Sequence, residues 1–181
     1  MEYIRHIWPG FIEGDHHRII ADKLTEVAQG KCKRLIVNMP PRHTKSEFAS
    51  VYFPSWIMGL KPEMKIMQTT HTADLSINFG RKVRNLMDTP EYNSIFDNVS
   101  LASDSKSAGK WQTSAGGEYF AAGVGGAIAG RGADLLIIDD PHSEQDAMSL
   151  PLLDSCYEWY TSGPRQRLQP GGTIVIVMTR W

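Results

Sequence analysis

The stretch LIVNMPPRHTKSEF, Leu35 to Phe48, ends an apolar run in two prolines and a basic, hydroxyl-rich turn. Lys45 and Ser46 have the types and order that close a phosphate-binding loop. In such a loop backbone amides wrap the phosphates, the lysine neutralises them and the hydroxyl holds Mg²⁺. The regular pattern G-x-x-x-x-G-K-[ST] would put glycines at Met39 and Thr44, and neither position is glycine. Taken alone, the stretch supports two readings: a deviant phosphate loop, or a proline-stiffened turn capped by Ser46 and Glu47.

A second stretch, LLIIDD, ends an apolar run in Asp139 and Asp140. A Mg–ATP site needs one acid near the metal and another to orient the attacking water, and adjacent acids at a strand end have diverging side chains. DDPHSE also has the Asp, Pro and Glu expected at a helix start, and both roles are compatible. A third stretch, TIVIVMTRW, ends another apolar run in Thr179 and Arg180. If that strand lies beside the loop strand, Thr179 is placed to sense a γ-phosphate; the plainer reading is a core strand running out into solvent.

These residues need elements to hold them. RLIVNMP, KIMQTTH, ADLLIIDD and GTIVIVMT read as strands buried on both faces of a parallel sheet. Ile20, Leu24 and Val27 share a helical face that Gly30 stops, and Leu75, Phe79, Val83 and Leu86 share another. Helices are expected from Lys45 to about Met58 and from Glu144 to about Tyr160, with Pro151 interrupting the latter or starting a second helix. KWQTSAGGEYFAAGV suggests a hairpin about Gly116-Gly117. Strands alternating with helices predict an α/β fold with a mostly parallel central sheet flanked by helices, whose ligands sit at the carboxyl ends of the strands.

The 181 residues suit one domain with a substantial core: 41% are hydrophobic, 22% are charged and the net charge is −1. That balance argues against a uniformly basic nucleic-acid coat but leaves room for a local basic patch. Cys32 and Cys156, the two cysteines, form no metal-ligand spacing and no disulfide framework. No signal-peptide layout and no apolar stretch of membrane-spanning length is present, so a soluble, intracellular chain is expected.

MPPRHTKSE, GRGADLLIIDDPHSE and VMTRW, in this order, resemble the P-loop ATPase domain of the large terminase subunit of tailed bacteriophages, and DHHRII and FGRKVRNLMDTPEY extend the likeness over nearly the whole chain. The resemblance implies ATP hydrolysis with Mg²⁺ that drives viral double-stranded DNA into a procapsid in the host cytoplasm. A small terminase subunit, a portal protein and a homo-oligomeric ring would be partners, with no membrane. It also implies further strands and a nuclease domain beyond residues 1–181. On this comparison Arg42 matches the arginine placed within the family's loop, Lys45 the phosphate lysine and Ser46 the Mg²⁺ hydroxyl. His43 and Thr44 complete the nucleotide-binding loop. Relatives usually have glycine where this chain has Thr44, and a β-carbon there crowds the backbone if φ is positive. Asp139 would be the Mg²⁺-associated acid and Asp140 the catalytic carboxylate, with Glu144 as second candidate because many relatives use the longer Glu. Thr179 matches the motif that couples hydrolysis to movement. Arg131 resembles an arginine donated to a neighbouring subunit's ATP, or is an ordinary surface arginine beside glycines. His17 falls near the adenine-binding segment.

Other features carry less. Adjacent residues on a helix do not share a face, which argues against a His16–His17 metal pair. Ile128 breaks a dinucleotide glycine pattern in GVGGAIAGRG. Arg81, Lys82, Arg84 and Lys110 suit either DNA phosphates or a solvated face, and Met58, Met64, Met67 and Met87 suit packing. Two other functions remain open: a helicase-like DNA-dependent ATPase, which would need a second motor domain, and a non-catalytic nucleotide-binding fragment that needs a partner for turnover.

Overall fold

The computed structural model describes residues 1–179 (of Lys106, the backbone), so Arg180 lies outside the described residues. Along the chain run α1 (Glu2–Ile7), α2 (Asp15–Ala28), β1 (Arg34–Asn38), α3 (Lys45–Glu47), a π-helical turn (Phe48–Tyr52), α4 (Phe53–Leu60) and β2 (Lys65–Thr70). Then follow α5 (Ala73–Met87), α6 (Pro90–Asn93), β3 (Leu101–Lys106), β4 (Lys110–Thr113), β5 (Glu118–Gly123), β6 (Ala133–Asp139), α7 (Leu150–Ser162) and β7 (Leu168–Met178).

The strands form one sheet in the order β1-β7-β6-β2-β5-β4-β3. β1, β7, β6, β2 and β5 are parallel, and β4 and β3 extend the sheet antiparallel, so the fold is α/β with a mostly parallel sheet. Alternation within each strand divides the core in two. Ile66, Tyr119, Leu135, Ile137, Val175 and Val177 face a large cluster that includes Leu24 and Val27 of α2 and Phe79 and Val83 of α5. Met67, Ala122, Leu136, Ile138 and Ile174 face a smaller one with Ile128 and Tyr160. Met58, Met67 and Met87 are buried, and Met64 is packed against the larger cluster.

α5 lies close on the sheet because Gly80 has no side chain. A β-carbon there would come within 2.6 Å of the Ala108 carbonyl oxygen, and the Gly80 carbonyl accepts from Trp111 Nε1 at 3.1 Å. The helix expected from Lys45 is present as α3, the π-helical turn and α4. Pro54 explains the wide turn: its ring has no N–H to donate to Ser50 and would press on that carbonyl in a regular helix. The backbone opens instead, and Phe53 N–H donates to the Phe48 carbonyl, five residues back.

Two expectations shift. The helix foreseen from Glu144 begins at Leu150, and Pro151 sits in its first turn. Ser143 and Asp146 cap each other reciprocally, at 3.1 Å in each direction, and close a short 3₁₀ turn first. The hairpin forms with Gly116 at φ 87°, but its second strand, β5, also joins the parallel sheet through β2. α1 and β3 were not anticipated. No helix among the described residues is long and apolar enough to cross a membrane.

Candidate active site

The three polar stretches converge at the carboxyl edge of the parallel strands. β1 delivers the loop of residues 39–44, β6 delivers Asp139 and Asp140, and β7, lying between them, delivers Thr179. The Met39 N–H donates to the Met178 carbonyl at 3.1 Å and Asp140 N–H to that of Val177 at 2.8 Å, which locks the three strand ends together.

Lys45 is almost fully buried, 6% exposed, and points back across β7. Its Nζ donates to Thr179 Oγ1 at 2.9 Å and lies 3.2 Å from Asp140 Oδ2. Asp140 Oδ1 accepts the Thr179 N–H at 2.7 Å. Lys45, Thr179 and Asp140 thus form a closed triad in which a buried cation is neutralised by a carboxylate.

Asp139 is held separately. Its Oδ1 accepts from Ser46 Oγ at 3.0 Å and its Oδ2 from Ser50 Oγ at 2.7 Å. Gln68 Nε2 donates to Ser50 Oγ at 3.2 Å from behind. Burial pushes the Asp139 carboxyl up to about 6, against the pull of those two hydroxyls. A buried acid converging with a hydroxyl and lacking a direct cationic partner suits a divalent cation. Among the described residues there is no cluster of three His, Cys, Asp or Glu side chains able to hold a metal. Mg²⁺ does not require one, since it is typically bound by one or two protein oxygens, waters and substrate phosphates. Ser46 and Asp139 are the residues that could hold it.

The loop itself is strained. Among the described residues, Arg42 (φ 62°), Thr44 (φ 59°) and Asp140 (φ 41°) are the non-glycine residues with positive φ, and all three lie at this site. Arg42, Thr44, Lys45, Ser46 and Glu47 line a cleft of about 250 Å³. His43 turns away from it: its Nδ1–H donates to the Pro41 carbonyl at 2.8 Å. Glu47 pairs with Lys82 at 2.6 Å, so one of the α5 cations is engaged with the loop helix.

Three other expected residues stand apart. Glu144 is exposed in the connection after β6, beyond the triad. Arg131 pairs with Glu118 at 2.8 Å and covers the Phe120 ring at 4.0 Å. Glu118 opens β5 opposite Lys65, which puts Arg131 at the amino edge of the sheet, about 20 Å of strand away from Lys45. It is not brought to this chain's own loop. His17 is buried against the loop rather than open to it. Its Nδ1 accepts from the Gly14 N–H at 2.9 Å, and its Nε2 lies 2.7 Å from Thr44 Oγ1. Burial lowers its pKa and keeps the ring neutral.

Ser50 and Gln68 were not singled out from the sequence. Two signals were present: Ser50 stands one helical turn after Ser46, and Gln68 is a polar residue inside a buried strand.

No family model matches the chain, and no curated protein matches it. Among solved structures it is similar to the HK97 bacteriophage large terminase, with a TM-score of 0.56 and 11% identity over 93% of this chain. The chain spans about a third of that protein's length, 33%. At this identity the likeness is one of fold, and the neighbour is of the kind that the motifs resemble.

Proposed function

We propose that this chain is a Mg²⁺-dependent ATPase of the large-terminase kind, hydrolysing ATP to move double-stranded DNA. The observation that supports it most is the convergence of Lys45, Asp140 and Thr179 beside the separate Ser46–Asp139 pair, at the strand edge where an α/β sheet binds ligands. Arg42 and the loop amides receive the phosphates. Incoming phosphate competes with Asp140 for Lys45, and as Lys45 moves to the phosphate the carboxylate is released. Asp140 then orients a water for in-line attack on the γ-phosphorus and accepts its proton as the bond to the β–γ bridging oxygen breaks. Bound between Ser46 and Asp139, Mg²⁺ would supply positive charge for the phosphate oxygens. Thr179 loses the Lys45 donor in the same movement, so the end of β7 feels the nucleotide state directly. Glu144 would serve as base only if its loop folded inward.

The remaining roles are read through the resemblance of the motifs to large terminases: a homo-oligomeric ring on the procapsid in the host cytoplasm, with a small terminase subunit and a portal protein as partners. Arg131 would act in a neighbour's site, after leaving Glu118. The test is Mg²⁺-dependent ATP hydrolysis with and without duplex DNA, beside Lys45→Ala and Asp140→Asn. Activity that both substitutions abolish supports the ATPase, and stimulation by DNA supports the motor. Full activity in both folded variants would refute the site. ATP binding without turnover would instead favour a fragment that needs its neighbours.

A further inference from the structure

We propose that His17 is a positioning residue of the phosphate loop: it holds Thr44 in the left-handed conformation that a glycine adopts unaided. This rests on the reading of residues 39–46 as a phosphate site. Thr44 has φ 59° and ψ 13°, a region costly for any residue with a β-carbon and more so for a branched one. Its hydroxyl is fixed twice. Oγ1 donates to the His43 carbonyl at 2.6 Å and accepts from His17 Nε2 at 2.7 Å. The direction of that second bond follows from the other side of the ring. Gly14 N–H can only donate, so His17 Nδ1 is the acceptor and the proton sits on Nε2.

The ring cannot drift. Phe48 stacks on it at 5.1 Å with an interplanar angle of 14°, and Phe11 meets it edge-on at 4.7 Å. Phe48 belongs to the helix that the loop feeds, and its N–H donates to the Thr44 carbonyl at 3.1 Å. The start of α2, the loop and the start of the loop helix therefore form one clamped unit. A return of Thr44 to negative φ would turn the peptide planes on either side of it, and with them the amides that lead into α3. Both His17 ring nitrogens are used and the residue is 6% exposed, so it reaches nucleotide through Thr44 rather than by contact.

A double-mutant cycle tests this, with ATP and Mg²⁺ titrated calorimetrically into the full chain and folding checked by thermal melting. His17→Phe keeps the stacking and removes the hydrogen bonds. It should weaken ATP binding about tenfold in the native background and less than about twofold when Thr44→Gly is also present. The unpaired Gly14 N–H is common to both backgrounds and cancels. An equal loss in both would overturn the proposal. If His17→Phe does not fold, Thr44→Val keeps the branched β-carbon without the hydroxyl. It should bind ATP about tenfold more weakly than Thr44→Gly, and equal affinity would overturn the proposal. Lys45→Ala separates the two levels. If it binds ATP as well as the native chain, the phosphate-site reading itself falls. If it loses binding while the cycle shows no coupling, only the role of His17 does.

Discussion

Replacing the buried acid beside Ser46 should stabilise the nucleotide-free protein while destroying turnover. Asp139 is 1% exposed and is held by two neutral hydroxyls, while the nearest lysine is committed to Asp140. Burial raises its carboxyl from an ordinary 3.8 to about 6. The folded state therefore holds the proton more tightly than the unfolded one. That contribution to stability is fully present below about pH 4 and is lost as the pH rises to 6. Above this the charged carboxylate costs up to about 3 kcal/mol. Asp139→Asn is neutral throughout and offers an oxygen to one serine and an amide to the other, whose hydroxyl can turn to accept. Recovering about 2 kcal/mol in a chain of this size corresponds to a Tm about 4–8 °C higher at pH 7.5. At pH 4.5 the gain should shrink to about 1–2 °C. Thermal melts of both proteins at pH 4.5, 6 and 7.5 without nucleotide decide it. A variant that melts below the native protein at pH 7.5, or a gain that does not change with pH, would refute the reasoning.

Thr179→Val removes the oxygen that accepts from Lys45 but keeps the backbone bond to Asp140; steady-state ATPase assays should show kcat falling by about tenfold or more, with a smaller change in KM. His17 is held neutral by burial, so its contribution to stability is present above its ordinary value of 6.5 and is lost as the pH falls through its lower folded-state value. His17→Phe should show a shallower decline of Tm between pH 7 and 5. Gly80→Ala forces a β-carbon against the Ala108 carbonyl at 2.6 Å and should cost about 1–3 kcal/mol in denaturant unfolding. Arg131→Ala breaks the Glu118 pair and uncovers Phe120, and calorimetry should show a loss of about 1 kcal/mol.

Much of the sheet was legible because strands buried on both faces are nearly unbroken apolar runs, as in LLIID of β6 and TIVIV of β7. The polar residues at their ends were legible for the same reason, since a change from apolar to charged marks where a strand leaves the core. β3, LASDSK, lies near the sheet edge and carries no such pattern, and α1 is too short to show a period. The helix starts at Leu150 rather than near Glu144 because Ser143 and Asp146 satisfy each other locally, a competition that composition alone does not settle. Thr44 has the positive φ at which a β-carbon crowds the backbone. The support for it comes from His17, far enough along the chain that no spacing could have revealed it.

The strand that carries the loop sits at one edge of the sheet and pairs, among the described residues, with β7 alone, Arg34 opposite Ile174. That contact spans most of the described residues, so it belongs to the slower, non-local class of folding events. During synthesis the segment from Arg34 to Ser46 leaves the ribosome long before its partner does. Until β7 arrives, Lys45 has no Thr179 to meet. β7 is therefore the strand that completes the Lys45 triad, and a chain halted before it would hold Lys45 and Asp140 without the Thr179 that bonds to both.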